Sequence, residues 1–167
     1  MREKRQHHYE LTTRWTGNLG RGTAGYTSYN RNHELTAPGK LAPIPGSSDP
    51  AFRGDRERYN PEELLLGALS ACHMLWVLHL CADAGIVITE YEDRAEGQMT
   101  EREDGSGRFT KVVLHPLMKI SDGTRIADAI AIHQDTHQLC AIAQSVNFIV
   151  ECRAEVIADR CRASDTA

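Results

Sequence analysis

The sequence has no strong excess of either charge. Its 19 lysines and arginines against 23 aspartates and glutamates leave a net charge of −4. That balance gives no general electrostatic reason to expect nucleic acid or an anionic membrane as a partner. A glycine-rich phosphate loop is missing. The nearest match, Gly17 to Gly22, lacks the strand-to-helix context such a loop needs. No serine nucleophile elbow and no internal repeat occur. The five cysteines form an odd set with no Cys-x-x-Cys pair, which argues against a disulfide framework. The opening MREKRQHHYE is charged and has no apolar stretch of the export-signal kind. The expectation is therefore a protein of the reducing cytoplasm. Apolar runs of transmembrane length occur between Asn60 and Gly85, but Cys72, His73, His79 and Asp83 interrupt them. No membrane span is expected.

What the sequence does contain is organised around that same stretch, NPEELLLGALSACHMLWVLHLCADAG. It predicts one long helix over 60–85. Asn60 is suited to accept hydrogen bonds from the first turn as N-cap, and Pro61 suits the first helical position. Glu63, three residues after the cap, completes a capping box, and the Glu62–Glu63 pair favours the positive end of the helix dipole. Gly85 can take the left-handed conformation that ends a helix. The helix is apolar nearly all round, as for a helix buried on most sides.

The remaining chain reads as one domain over 1–167, of α+β class. An N-terminal β-hairpin is expected over 9–30, from strands at Tyr9–Trp15 and Thr23–Tyr29. A short strand near His33–Thr36 precedes a proline-rich loop over 37–58. After the helix, period-two alternation predicts a β-hairpin over 86–120. Helical spacing returns over 124–140, and a final strand covers 146–158.

Two groups of residues could carry chemistry. Cys72, Trp76 and His79 share one helical stripe, at i, i+4 and i+7. His133, His137 and Cys140 do so on the second helix, a spacing that suits metal ligands in principle but is common by chance. Cys81, Cys152 and Cys161 read as structural or incidental, since a free cysteine usually just packs.

The segment NPEELLLGALSACHM resembles the signature of the OsmC/Ohr family, the osmotically inducible and organic-hydroperoxide-resistance proteins. THQLCAIAQSVNF, over 136–148, is similar to that family's second cysteine segment, and the two occur in the family's order. The resemblance covers about residues 58–157. It implies an OsmC-like fold with antiparallel sheets around a long central helix, in an intertwined homodimer. It also implies a thiol peroxidase without a cofactor or metal. Cys72 would be the peroxidatic cysteine and Cys140 the resolving one. Glu62 would orient an arginine that holds Cys72 as thiolate. That arginine is open among Arg53, Arg21, Arg56 and Arg58, with Arg53 preferred because its loop leads into the helix. The implied partners are a small-molecule peroxide and an external dithiol reductant. His73, Trp76 and His79 are the expected substrate-contacting residues. Ala141 stands where many members have proline, and His73 where the best-known members have an aromatic residue.

Glu62 and Cys72 are ten residues apart, about 15 Å along a straight helix. Either the helix breaks near Gly67, or Glu62 serves the other subunit's Cys72. The alternative function is a non-peroxidatic relative that binds a small apolar ligand or a metal through Cys72, His79, His137 and Cys140. A short separation between the Cys72 and Cys140 sulfurs favours the peroxidase.

Overall fold

The computed structural model describes residues 5–159; Cys161 lies outside them. The chain divides after Leu64 into two compact units.

The first unit contains a three-stranded antiparallel sheet. Strand β1 (Thr12–Trp15) pairs with β2 (His33–Thr36), which pairs with β3 (Ile44–Gly46). The expected hairpin over 9–30 does not form. Residues 23–29 carry no strand, and only an isolated bridge joins Asn18 to Tyr29. Side-chain acceptance explains the difference. Asn18 Oδ1 takes the N–H groups of Gly20 and Gly22, and Gly20 and Gly22 adopt positive φ, so the chain coils here instead of extending. β1 reaches past this segment to β2. The proline-rich stretch expected as loop holds β3 and a 3-10 turn at Pro50–Phe52.

Helix α1 runs unbroken from Pro61 to Asp83. Its start is the expected capping box. Asn60 Oδ1 accepts from Glu63 N–H at 2.7 Å, and Glu63 Oε2 accepts from Asn60 N–H at 3.1 Å. Its end is a Schellman arrangement, with Ile86 N–H donating to Cys81 O at 2.8 Å around Gly85 at φ 70°. The helix does not break at Gly67.

The expectation that α1 is buried on most sides is corrected. Leu69, His73, Val77 and Cys81 are buried, a stripe at spacing four. The opposite stripe, Ala68, Ala71, Leu75, His79 and Ala82, is apolar but for His79 and faces outward, with Leu75 62% exposed. A helix this uniformly apolar presents two faces, and one chain covers only one of them. By length and composition α1 is also the one helix among the described residues that could cross a membrane.

The second unit holds two three-stranded sheets and helix α2 (Ile126–Leu139). The single hairpin expected over 86–120 is four strands. They are β4 (Ile88–Asp93), β5 (Glu96–Glu101), β6 (Gly107–Leu114) and β7 (Pro116–Ile120). β5 pairs with β6 and β4 with β7, both antiparallel. The last segment likewise divides into β8 (Ile149–Cys152) and β9 (Glu155–Ala158), which add in parallel to β6 and β7. All three chain segments bend at one level, at Arg94–Ala95, His115 and Arg153–Ala154. Asp93 Oδ1 takes the His115 N–H at 2.7 Å, a donor the interrupted ladder would otherwise leave unpaired. Arg153 N–H donates to Leu114 O at 2.9 Å across the same bend.

The bend divides the core. Leu69 packs with Val112 and Leu114 on one side. Val77 and Cys81 pack with Met118, Ile120, Ala129 and Val156 on the other. His73 lies on α1 between these two groups.

Candidate active site

Cys72 lies half-buried on α1, beside its buried stripe. Cys140 follows α2 as its C-cap and is 1% exposed. Its N–H closes the last turn on Thr136 O at 3.0 Å, which fixes where the sulfur points. The Cys140 thiol neighbours the Cys72 side chain. Burial, and then the neighbouring Cys72, raise the Cys140 pKa to about 11. A neighbouring thiol that can carry negative charge disfavours ionisation of Cys140. The Ala143 N–H points at the Cys140 sulfur from 3.4 Å and acts weakly in the opposite sense.

A cavity of about 140 Å³ adjoins Cys140. Its wall includes His73 from α1, His133 and His137 from α2, and Cys152 from β8. His73 Nε2 and His133 Nδ1 are 3.0 Å apart, and Cys152 Sγ is 3.4 Å from the first and 4.0 Å from the second. Both histidines are almost fully buried. Burial lowers the His133 pKa to about 4 and also lowers that of His73, although Asp93 opposes the effect on His73. Burial pushes the Cys152 thiol up to about 11. The three groups are neutral near pH 7.

The other expected contacts lie elsewhere. His79 is exposed and faces Asp83 at 3.6 Å, one turn along α1. Trp76 packs edge-on against His79, with ring centroids 5.7 Å apart. Neither lines the cavity, whereas His73 does. His133, His137 and Cys140 all line it, but the close cluster takes its sulfur from Cys152, which the sequence presented as incidental.

Within the first unit an open cleft of about 380 Å³ is lined by Glu62 and an arginine. The arginine is Arg31, not one of the four considered from the sequence. Its guanidinium carbon lies 4.3 Å from the ring centroids of both Tyr26 and Tyr29, a two-sided cation–π contact. Its Nη1 donates to Tyr26 O at 3.0 Å and to Tyr29 O at 2.9 Å. Arg31 Nη2 and Glu62 Oε2 are buried without a hydrogen-bond partner. Arg53 is instead exposed and holds a left-handed backbone (φ 65°) at the end of the 3-10 turn. Arg21 and Arg56 are also exposed, and Arg58 pairs with Asp55 at 3.5 Å. The available signal for Arg31 was its position two residues after Tyr29 and five after Tyr26, a cation with aromatic neighbours.

A protein-family model described as OsmC-like protein matches residues 54–155. This chain belongs to the OsmC-like family. Its structure is similar to that of an OsmC-like protein of unknown function from Vibrio cholerae, with 26% identity and a TM-score of 0.80 over 90% of this chain and 100% of that one. It also shares its fold with an organic hydroperoxide resistance protein from Legionella pneumophila (16% identity, TM-score 0.66, 92% and 98% covered). The organic hydroperoxide resistance protein OhrB of Bacillus subtilis is a third structural relative (18% identity, TM-score 0.59, 90% and 98% covered). No match was found among curated proteins. The OsmC-like family assignment accords with the resemblance carried by the two cysteine segments, and the α+β fold with the expected class.

Proposed function

We propose that this OsmC-like chain is a thiol peroxidase that reduces organic hydroperoxides to alcohols. The observation that carries the reading is that the Cys140 thiol neighbours the Cys72 side chain. Two free cysteines 68 positions apart meet, one buried and one half-buried.

The Cys72 thiolate attacks the outer peroxide oxygen. The O–O bond breaks, the alkoxide leaves and takes a proton as alcohol, and Cys72 becomes a sulfenic acid. Cys140 then attacks that sulfur. An S–S bond forms, and the sulfenic hydroxyl leaves with the Cys140 proton as water. An external dithiol returns both thiols by two exchanges and is itself oxidised to a disulfide. No cofactor is needed. A cation beside the nucleophile favours its thiolate form. In this reading Arg31 supplies it, and Glu62 orients Arg31 from the same cleft.

The unbroken α1 favours a homodimer in which Arg31 and Glu62 of one chain serve the partner subunit's Cys72. The outward apolar stripe of α1 is the surface such a pairing would cover.

Stopped-flow oxidation by cumene hydroperoxide and by hydrogen peroxide tests the activity. Wild type is expected to react rapidly, faster with the organic peroxide, and Cys72→Ser not at all. If both proteins react equally slowly, the peroxidase reading fails.

A further inference from the structure

The His73, His133 and Cys152 cluster has no part in that chemistry. Its three potential donor atoms come from α1, α2 and β8, so the tertiary fold alone assembles them. Their separations are 3.0, 3.4 and 4.0 Å. A tetrahedral zinc with ordinary bond lengths holds two ring nitrogens about 3.3 Å apart and each nitrogen about 3.6 Å from a thiolate sulfur. The cluster matches that triangle to within a few tenths of an ångström.

Hydrogen bonding alone does not account for the arrangement. His73 Nε2 has one lone pair or one hydrogen, yet both His133 Nδ1 and Cys152 Sγ converge on it. A single ion accepts one lone pair from each. The surroundings also contain unpaired polar atoms. With Nδ1 free to ligate, His133 carries its proton on Nε2, which like the Tyr91 hydroxyl is buried without a protein partner, and the Tyr91 ring stacks near that of His133. Cores usually satisfy such atoms with water. Asp93, whose charge acts on both His73 and Tyr91, adds a negative field that favours a cation.

We propose that His73 Nε2, His133 Nδ1 and Cys152 Sγ form a binding site for a zinc-class transition-metal ion, with its fourth position open to the adjoining cavity. Three protein ligands and an open position are the pattern of a reactive zinc, not a purely structural one. Binding forms a metal–sulfur bond and releases the Cys152 thiol proton to solvent. The site is separate from the Cys72–Cys140 pair and does not depend on the peroxidase reading.

Cobalt(II) reports the site spectroscopically. The test uses the full chain carrying Cys72→Ser and Cys140→Ser, reduced and stripped of metal by chelation. One equivalent of cobalt should give the ultraviolet thiolate-to-cobalt charge-transfer band and the intense visible bands of a tetrahedral ion. Zinc should displace both, and each should raise the melting temperature. Adding Cys152→Ser should remove the charge-transfer band, and His133→Asn should weaken binding by about 100-fold or more, since even outer-shell changes cost 10–100-fold. Absence of the band in the folded parent overturns the proposal, whatever becomes of the further variants. So does a band that survives Cys152→Ser or an affinity unchanged by His133→Asn. Peroxide reduction by wild type is a separate readout, lost in the parent used here, so the two proposals fail independently.

Discussion

At the scale of single residues, the site depends on small asymmetries. Cys72 and Cys140 are chemically identical, but Cys72 is half-buried while Cys140 is almost fully buried, which raises the Cys140 pKa to about 11. Arg31 and Arg53 are likewise the same side chain. Arg31 is clamped by two tyrosines with one nitrogen buried and unpartnered, while Arg53 is exposed. Arg31→Met should therefore slow the reaction with cumene hydroperoxide by about 10- to 100-fold, the worth of a hydrogen bond to a charged group. Arg53→Met should have a much smaller effect. Mixing the slowed Arg31→Met and the inactive Cys72→Ser chains under conditions that exchange subunits should raise activity above that of Arg31→Met alone, because one site of the proposed dimer is then whole. No recovery in verified mixed dimers would place the arginine and the cysteine of each site in one chain, or leave Arg31 outside it.

At the scale of elements, α1 was the most legible part of the chain. Its cap, its first turn and its stop are local chemistry, written within a few residues of each end, and the helix ends within two residues of the expected bounds. Asn60→Ala removes the acceptor for the Glu63 N–H and should cost about 1 kcal/mol. A fall in the urea midpoint at unchanged slope would measure it, and an unchanged midpoint would mean that the cap contributes nothing. The strands were less legible. Alternation over 86–120 indicated two extended arms and a turn, which is correct in outline. It gave no sign of the bend, because the bend is made by Asp93 reaching the His115 N–H 22 residues away. The N-terminal hairpin failed for a similar reason. β-forming residues at 23–29 were outweighed by the Asn18 side chain folding the backbone on itself.

At the scale of the whole molecule, stability and pH are linked through the buried histidines. His133 titrates at about 4 in the folded chain against an ordinary 6.5. The unfolded chain therefore binds more protons in that interval. The contribution is fully present above pH 6.5 and is lost as the pH falls through about 4. The shift corresponds to roughly 3 kcal/mol. His73 is lowered too and acts in the same direction, while Asp93 beside it reduces the effect. Urea unfolding of metal-free protein should show stability falling between pH 6.5 and 4, and His133→Gln should flatten that fall. A wild-type profile flat across the interval would contradict the burial of neutral histidine.

The long capped helix and the two cysteine segments were legible in the sequence alone, since each rests on residues close together in the chain. Cys72, Cys140 and Glu62 were named as candidates through the family resemblance that those segments carry. That Arg31 shares a cleft with Glu62, that one face of α1 is left uncovered and that Cys152 meets two histidines came from the folded chain. Those are contacts between residues tens of positions apart. They depend on how strands bend and helices dock, and no local spacing encodes that.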